Sequence, residues 1–258
     1  MIPKIIHYCW LSNEPVPENL KRCMDTWKER LPGYEFMLWN FERFHKDSSL
    51  WVSQAFDSKK YAFAADYIRL YAVCNYGGIY LDMDIEVLRA FDDLLDAPLM
   101  VAYENEEKTG IEAGCFGAEK GNPFIADCLS YYADRSFIKP DGSFDTLTLP
   151  KIMKSFLSAH PWIKPMDWHC FTNKSYKTGK IKTTGESYAV HHFAGSWLPI
   201  ESKIKNIRRY RIYKKFGNTF FSKLCIYINA FFVRIKSEGV SRTFKYYLSK
   251  YIKGVNFE

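Results

Sequence analysis

At 258 residues the chain is long enough to bury one sizeable core, and its 17% aromatic content supplies large side chains to fill it. The net charge of +7 is unevenly spread: residues 203–258 hold 14 Lys/Arg against Glu238 and Glu258 alone, leaving +12 there and −5 on the rest. Seven scattered cysteines without a Cys-x-x-Cys pair argue against a cysteine metal centre, and their odd number, with no signal-peptide pattern, fits a reducing cytoplasm better than a disulfide framework.

Ile2 to Trp10 reads as a buried first strand ending in an aromatic residue, a position that ordinarily packs in the core. Leu20, Met24, Trp27 and Leu31 share one stripe, so Pro17 to Leu31 is expected to form an amphipathic helix, stopped by Pro32-Gly33. Tyr34 to Trp39 is a second strand. This β-α-β order favours a parallel sheet covered by helices. Neither a Gly-x-Gly-x-x-Gly fingerprint nor a Gly-Lys-Ser/Thr phosphate loop is present, which excludes those two nucleotide-binding devices.

The organising stretch is Asp66 to Asp84. Phe63, Tyr67, Tyr71 and Cys74 recur at helical spacing, and Asp66 and Arg69, three apart, are neighbours on that helix. Gly77-Gly78 ends the helix, and Ile79-Tyr80-Leu81 is a short apolar strand delivering Asp82 and Asp84 at its carboxyl end. Residues two apart on an extended chain point the same way. Two such carboxylates repel unless a cation or a shared proton lies between them, and a hard divalent ion, completed by a diphosphate, meets that need. An Asp-x-Asp triplet alone is usually a solvated turn; the helix, paired glycines and apolar strand around this one favour a functional site.

Beyond it, Ile85 to Leu88 continues extended, Phe91 to Leu95 is a short helix and Leu99 to Tyr103 a strand. Glu104 to Gly114 is a polar loop from which Cys115 to Ala118 returns as a strand, and Pro123 to Arg135 is helical. A further helix follows Gly142 to Thr146, reaching about Leu157, and Asp145 is placed to cap it. Tyr188 to His191 ends a strand at His191-His192. Imidazole is a competent ligand for manganese-like ions, and a strand turns one ring of such a pair inward and the other outward, so one of the two is expected to bind.

These motifs resemble glycosyltransferase family 32, which includes capsular polysaccharide transferases and Och1-like mannosyltransferases, and are similar to the catalytic domains of clostridial glucosylating toxins. The match lies in the Asp66-x-x-Arg69 helix, the Gly77-Gly78 turn, the Tyr80-Leu81-Asp82-x-Asp84 strand and the opening Ile2 to Trp10. It covers residues 1 to about 200. The resemblance implies a GT-A-type, Rossmann-like mixed sheet flanked by helices, and transfer from a nucleotide-diphosphate sugar, a UDP-sugar by preference, with retention of configuration. It implies Mn²⁺ or Mg²⁺ held by Asp82, Asp84 and His192, from His192-x-x-Gly195, with His191 the second choice. Trp10 and Tyr80 would frame the nucleoside, Arg69 would contact phosphate or hold Asp66, and Asp66 would bond donor-sugar hydroxyls. Ser196 and Trp197 would close over the diphosphate, and Asp145 could contact sugar or take part in catalysis.

From Lys203 the pattern becomes basic and aromatic, so 1–202 is expected as the catalytic domain and 203–258 as a helical appendage. Leu224 to Val233 is apolar but too short to span a bilayer, and Phe244, Tyr247, Leu248, Tyr251 and Ile252 form a helical stripe flanked by lysines. Such segments lie in membrane interfaces, which gives a peripheral enzyme on the inner face of the cell membrane, acting on a lipid-linked glycan acceptor in surface-polysaccharide synthesis. No nucleic-acid reading motif accompanies the charge. The rivals are a haloacid-dehalogenase-type phosphohydrolase, whose usual Asp-x-Asp-x-Thr is broken here by Glu86, and a non-catalytic glycan- or membrane-binding protein.

Overall fold

The computed structural model describes residues 1–195, 200–243 and 246. Ser196, Trp197 and the stripe from Phe244 to Ile252 lie outside the described residues. The chain divides into two compact units, Met1–Ser175 with Ile181–Trp197, and Tyr176–Lys180 with Leu198–Glu258.

In the first unit, β1 (Ile5–Cys9), α1 (Glu18–Arg30) and β2 (Glu35–Trp39) form the expected β-α-β start. Two helices, α2 (Leu50–Asp57) and α3 (Tyr61–Tyr76), lead to β3 (Gly78–Leu81) and β4 (Ile85–Val87). Then come β5 (Leu99–Met100), β6 (Cys115–Ala118), α4 (Pro123–Ser130), α5 (Leu149–Phe156) and β7 (Ala189–His191). The main sheet runs β2-β1-β3-β6-β5, and β4 pairs with β7 in a separate two-stranded ribbon. β1 is parallel to β2 and β3, whereas β6 is antiparallel to β3 and β5, so the sheet is mixed with helices on its faces, as the resemblance implied.

The two faces can be read from β3. Ile79 and Leu81 pack with Leu20 and Trp27 of α1 and with Leu31 at its end, whereas Tyr80 packs with Ile68, Val73, Phe124 and Ile152 from α3, α4 and α5. Alternate side chains of a strand point to opposite faces, and this strand is buried on both, which is why it reads as a continuous apolar run. Burying one such Leu or Ile contributes about 1.5–3 kcal/mol. On α3 the expected stripe of Phe63, Tyr67, Tyr71 and Cys74 is only half-buried; the deepest positions are Ala64, Ile68, Leu70, Ala72 and Val73, and Asp66 and Arg69 are buried with them. The helix is enclosed on more sides than a surface helix, so its stripe marks one contact among several.

Two glycines permit the turn into β3. Gly77 (φ +68°) and Gly78 (φ +107°) both lie in the left-handed region that L side chains avoid. A Cβ on Gly78 would also stand 2.7 Å from the Ile5 carbonyl, and one on Gly77 would stand 2.8 Å from the Lys120 amide. His7 fixes the same turn: its Nε2 donates to the Gly77 carbonyl at 2.7 Å, leaving Nδ1 to accept from Trp39 Nε1 at 3.1 Å.

The chain leaves β1 for β2 on one side and returns from β2 to β3 on the other. The gap between the carboxyl ends of β1 and β3 is thus a topological switch point, where open α/β sheets bind ligands. Trp10 follows β1 and Asp82 follows β3 at this edge. β6 begins there too, with the Gly114 carbonyl accepting from Asp82 N at 2.7 Å.

In the second unit, α6 (Ile200–Phe216) and α7 (Phe220–Glu238) are the C-terminal helices. Gly217 (φ +66°) separates them, and the Thr219 hydroxyl caps α7 by accepting from Ser222 N. No helix of the described residues is long and apolar enough to cross a membrane. All seven cysteines are free thiols.

Candidate metal and donor site

Asp82, Asp84 and His191 each offer a ligand atom, and these atoms lie within 4.8 Å of one another. The two aspartates are not brought together by strand alternation: residues 82–84 form a turn closed by Ile85 N donating to the Asp82 carbonyl at 2.9 Å. The turn folds both carboxylates onto the same side and starts β4. β4 then pairs antiparallel with β7, placing Ile85 opposite His191. His191 Nε2 faces Asp84 Oδ1 at 3.5 Å.

This corrects the expectation for His192. Its Nε2 pairs instead with Glu86 at 2.7 Å, and its amide donates to the Asp84 carbonyl at 3.0 Å. Adjacent residues of a strand face opposite ways, and register gives the inward position to His191.

Each aspartate is held. Asp82 Oδ1 accepts from the Tyr80 hydroxyl at 2.9 Å, and Oδ2 accepts from Arg69 at 3.2 Å. Asp84 Oδ2 accepts from Ala194 N at 2.7 Å. Arg69, buried, also donates to the Ala113 carbonyl at 2.7 Å, lies 3.4 Å from Asp66 Oδ1 and stacks over Tyr80 at 4.7 Å. Arg69 and Asp66 are therefore engaged inside the protein, and Tyr80, 1% exposed, does not present its ring to a nucleoside. The Trp10 side chain is partly buried against the apolar core, its Nε1 donating to the Glu14 carbonyl at 3.0 Å at the sheet edge. Asp145 accepts from Arg135 and the Tyr131 hydroxyl, both at 3.2 Å, and does not cap α5, whose N-cap is Thr148.

Sequence reasoning missed Glu112, Gly114 and Thr172. Glu112, almost fully buried, meets His191 Nδ1 at 3.0 Å, accepts from Gly114 N at 2.7 Å and from Thr172 Oγ1 at 2.6 Å. Nothing local in Gly-Ile-Glu-Ala-Gly marks it, since its partners arrive from residues 60 and 79 positions away. Gly114 leaves room for the cluster: a Cβ there would stand 2.9 Å from both Asp82 Oδ2 and His191 Cε1, and 3.0 Å from Glu112 Oε1. Phe193, with φ +49°, stacks on the His191 ring at 4.1 Å.

The electrostatics favour a cation. Burial, with Asp84 adding its charge, holds the Asp82 carboxyl above its usual range against the pull of Arg69. Burial also raises Asp66, to about 6, against the pull of Arg69. Burial alone would lower His191, but the carboxylates of Glu112 and Asp84 overcome it and raise the imidazole to about 9. On Glu112 burial acts upward, but the charge and hydrogen bond of His191, with the Thr172 and Gly114 hydrogen bonds, overcome it and hold the carboxyl below the ordinary range. Two carboxylates and an imidazole are a donor set suited to manganese-like ions, and ligands each about 2.1 Å from a Mg²⁺-sized ion lie at most about 4.2 Å apart. The residues fit such an ion after a small contraction.

Residues 17–100 match the family described as "Glycosyltransferase sugar-binding region containing DXD motif". An inositol phosphoceramide mannosyltransferase (number 3) of Schizosaccharomyces pombe is 36% identical over 128 residues, which is 48% of this chain and 35% of that protein. The mannosyl phosphorylinositol ceramide synthase SUR1 of Saccharomyces cerevisiae is 31% identical over 133 residues, 50% of this chain and 34% of that one. The matches thus span about a third of the length of these relatives. Among solved structures, the PaToxG glycosyltransferase aligns with a TM-score of 0.47 at 20% identity, covering 62% of this chain and 70% of its own. The matched segment carries Asp66, Arg69, Asp82 and Asp84, and so resembles the DXD-containing sugar-binding region over about a third of the chain.

Proposed function

We propose that the chain is a metal-dependent glycosyltransferase that moves a sugar from a nucleotide-diphosphate donor to a hydroxyl of a lipid-linked glycan or glycolipid acceptor. The observation that carries this reading is the convergence of Asp82, Asp84 and His191 at the switch point of a sheet whose sugar-binding segment matches the DXD family. The names of the relatives support a lipid-linked acceptor and make a mannose donor worth testing beside the UDP-sugars.

Asp82, Asp84 and His191 would hold Mn²⁺ or Mg²⁺. A divalent ion bound there neutralises charge on a leaving diphosphate. Tyr80 and Arg69 fix the Asp82 carboxylate, so it is oriented before a donor arrives. Trp10 stands at the same edge, where a base can stack on it. Retention of configuration is carried over from the resemblance.

The reading extends to a peripheral enzyme on the inner membrane face, acting in surface-polysaccharide or capsule synthesis. Phe220, Phe221, Leu224, Ile228 and Phe232 are exposed on α7, beside Lys223, in a stretch of the chain carrying +12. Each cation near an anionic leaflet adds roughly 1 kcal/mol of attraction. Flotation of the full chain on anionic and neutral vesicles, with Phe220 and Phe221 replaced by Ser, tests this part; equal flotation of both proteins on both vesicles would remove it.

The transfer itself is tested with radiolabelled UDP-glucose, UDP-galactose, their N-acetyl forms and GDP-mannose, each with a glycolipid acceptor, with and without Mn²⁺. Metal-dependent labelling of the acceptor by one donor is the expected result. No labelling and no donor hydrolysis by the folded protein would return it to the binding-protein reading.

A further inference from the structure

The strongest unassigned arrangement is the buried ring of Glu112, His191 and Thr172. Glu112 Oε1 meets His191 Nδ1 at 3.0 Å and Oε2 accepts from Thr172 Oγ1 at 2.6 Å. The ring closes through the backbone, because His191 N donates to the Thr172 carbonyl at 2.9 Å. Gly114 N donates to Glu112 Oε1 at 2.7 Å, so both carboxylate oxygens are engaged and the side chain is fixed. Phe193 lies against the imidazole at 4.1 Å, opposing its rotation.

A buried carboxylate is costly unless its partners require it. Nothing in the packing alone requires a charge at position 112: its neighbours are the apolar Ile111 and Ala113, both buried. What the carboxylate does is select a tautomer. A neutral imidazole that donates Nδ1–H to Glu112 carries its lone pair on Nε2, the nitrogen facing Asp84 at 3.5 Å. We propose that Glu112, braced by Thr172 and Gly114, is a positioning residue that orients His191 and holds its Nε2 as the ligand of the divalent cation. This rests on the metal-dependent reading above. Carboxylates acting in this way on ligating histidines typically govern metal affinity by 10- to 100-fold.

The experiment is Mn²⁺ titration of the full chain without nucleotide, following the free-ion signal by electron paramagnetic resonance and ¹⁴N couplings of the bound ion by electron spin echo. Wild type is expected to bind with a ¹⁴N coupling that His191→Gln abolishes. Glu112→Ala should weaken binding about 10- to 100-fold and reduce the ¹⁴N coupling. Glu112→Gln, which can still accept from Nδ1, should recover part of both. Should Glu112→Ala fail to fold, Thr172→Val removes one brace and should weaken Mn²⁺ several-fold while the metal-free melting temperature stays within a few degrees. Unchanged Mn²⁺ affinity and ¹⁴N coupling in folded Glu112→Ala, or in Thr172→Val where Glu112→Ala does not fold, would overturn the role of Glu112. Wild type indistinguishable from Asp84→Ala would instead overturn the metal site itself.

Discussion

Arg69 and Asp82, 13 residues apart in sequence, meet at 3.2 Å where the helix before the glycine turn passes the strand after it. One guanidinium thereby spans Asp82, Asp66 and the Ala113 carbonyl. Removing a single partner from a buried charge pair leaves the other unpaired and costs about 3–5 kcal/mol. Arg69→Leu is therefore expected to lower stability by that order in chemical denaturation. Arg69→Lys should recover only part, since an ammonium cannot reproduce the planar fork. A denaturation midpoint for Arg69→Leu equal to wild type would contradict the placement of Arg69 as an internal brace.

Gly114→Ala tests the space around the site. Gly114 does not sit in the left-handed region, so backbone strain is not at issue; the contacts at 2.9 Å to Asp82 and His191 are. Overpacking of this kind costs about 1–3 kcal/mol. Mn²⁺ affinity should fall by about tenfold or more as the two ligands move apart. A folded Gly114→Ala protein with unchanged affinity would show that the cluster can open without loss.

The pH dependence of stability should carry a contribution from His7. Burial lowers its pKa below 6.5, with the bond to the Gly77 carbonyl opposing, and its Nδ1 must remain unprotonated to accept from Trp39. In the unfolded chain it titrates near its ordinary value, about 6.5. Above that value neither state takes up the proton and the contribution is complete. As pH falls from 6.5 through the lowered folded value, the unfolded state binds a proton that the folded state refuses, and stability is lost. The melting-temperature difference between wild type and His7→Gln is therefore expected to shrink from pH 7.5 to pH 5. A difference constant over that range would contradict a neutral His7.

The fold was legible in the sequence where one element carries its own pattern. Leu20, Trp27 and Leu31 marked α1, the apolar Ile79-Tyr80-Leu81 run marked the central strand, and Gly77-Gly78 marked the turn between helix and sheet. The Asp82–Asp84 pair was legible for the same reason, although a turn rather than strand alternation brings the carboxylates together. What a single stretch cannot show is which ring of His191-His192 turns inward, because that depends on the register of β7 against β4. Glu112 and Gly114 were hidden more deeply. Their partners, Thr172, His191 and Asp82, belong to distant segments, and a lone Glu in a polar loop looks like any solvated acid. Tyr80 shows the opposite failure: its motif position suggested a base-stacking ring, but its burial turns it into a hydrogen-bond donor to Asp82.

In the proposed function, Asp82, Asp84 and His191 bind a nucleotide diphosphate through a divalent ion. The most direct test is calorimetric titration of UDP and GDP into the full chain, with and without Mn²⁺, for wild type, Asp84→Asn, His191→Gln and His192→Gln. Binding is expected to require Mn²⁺, to be lost in Asp84→Asn, to fall about tenfold or more in His191→Gln and to survive in His192→Gln. Equal binding without metal, or binding unchanged in Asp84→Asn, would contradict it.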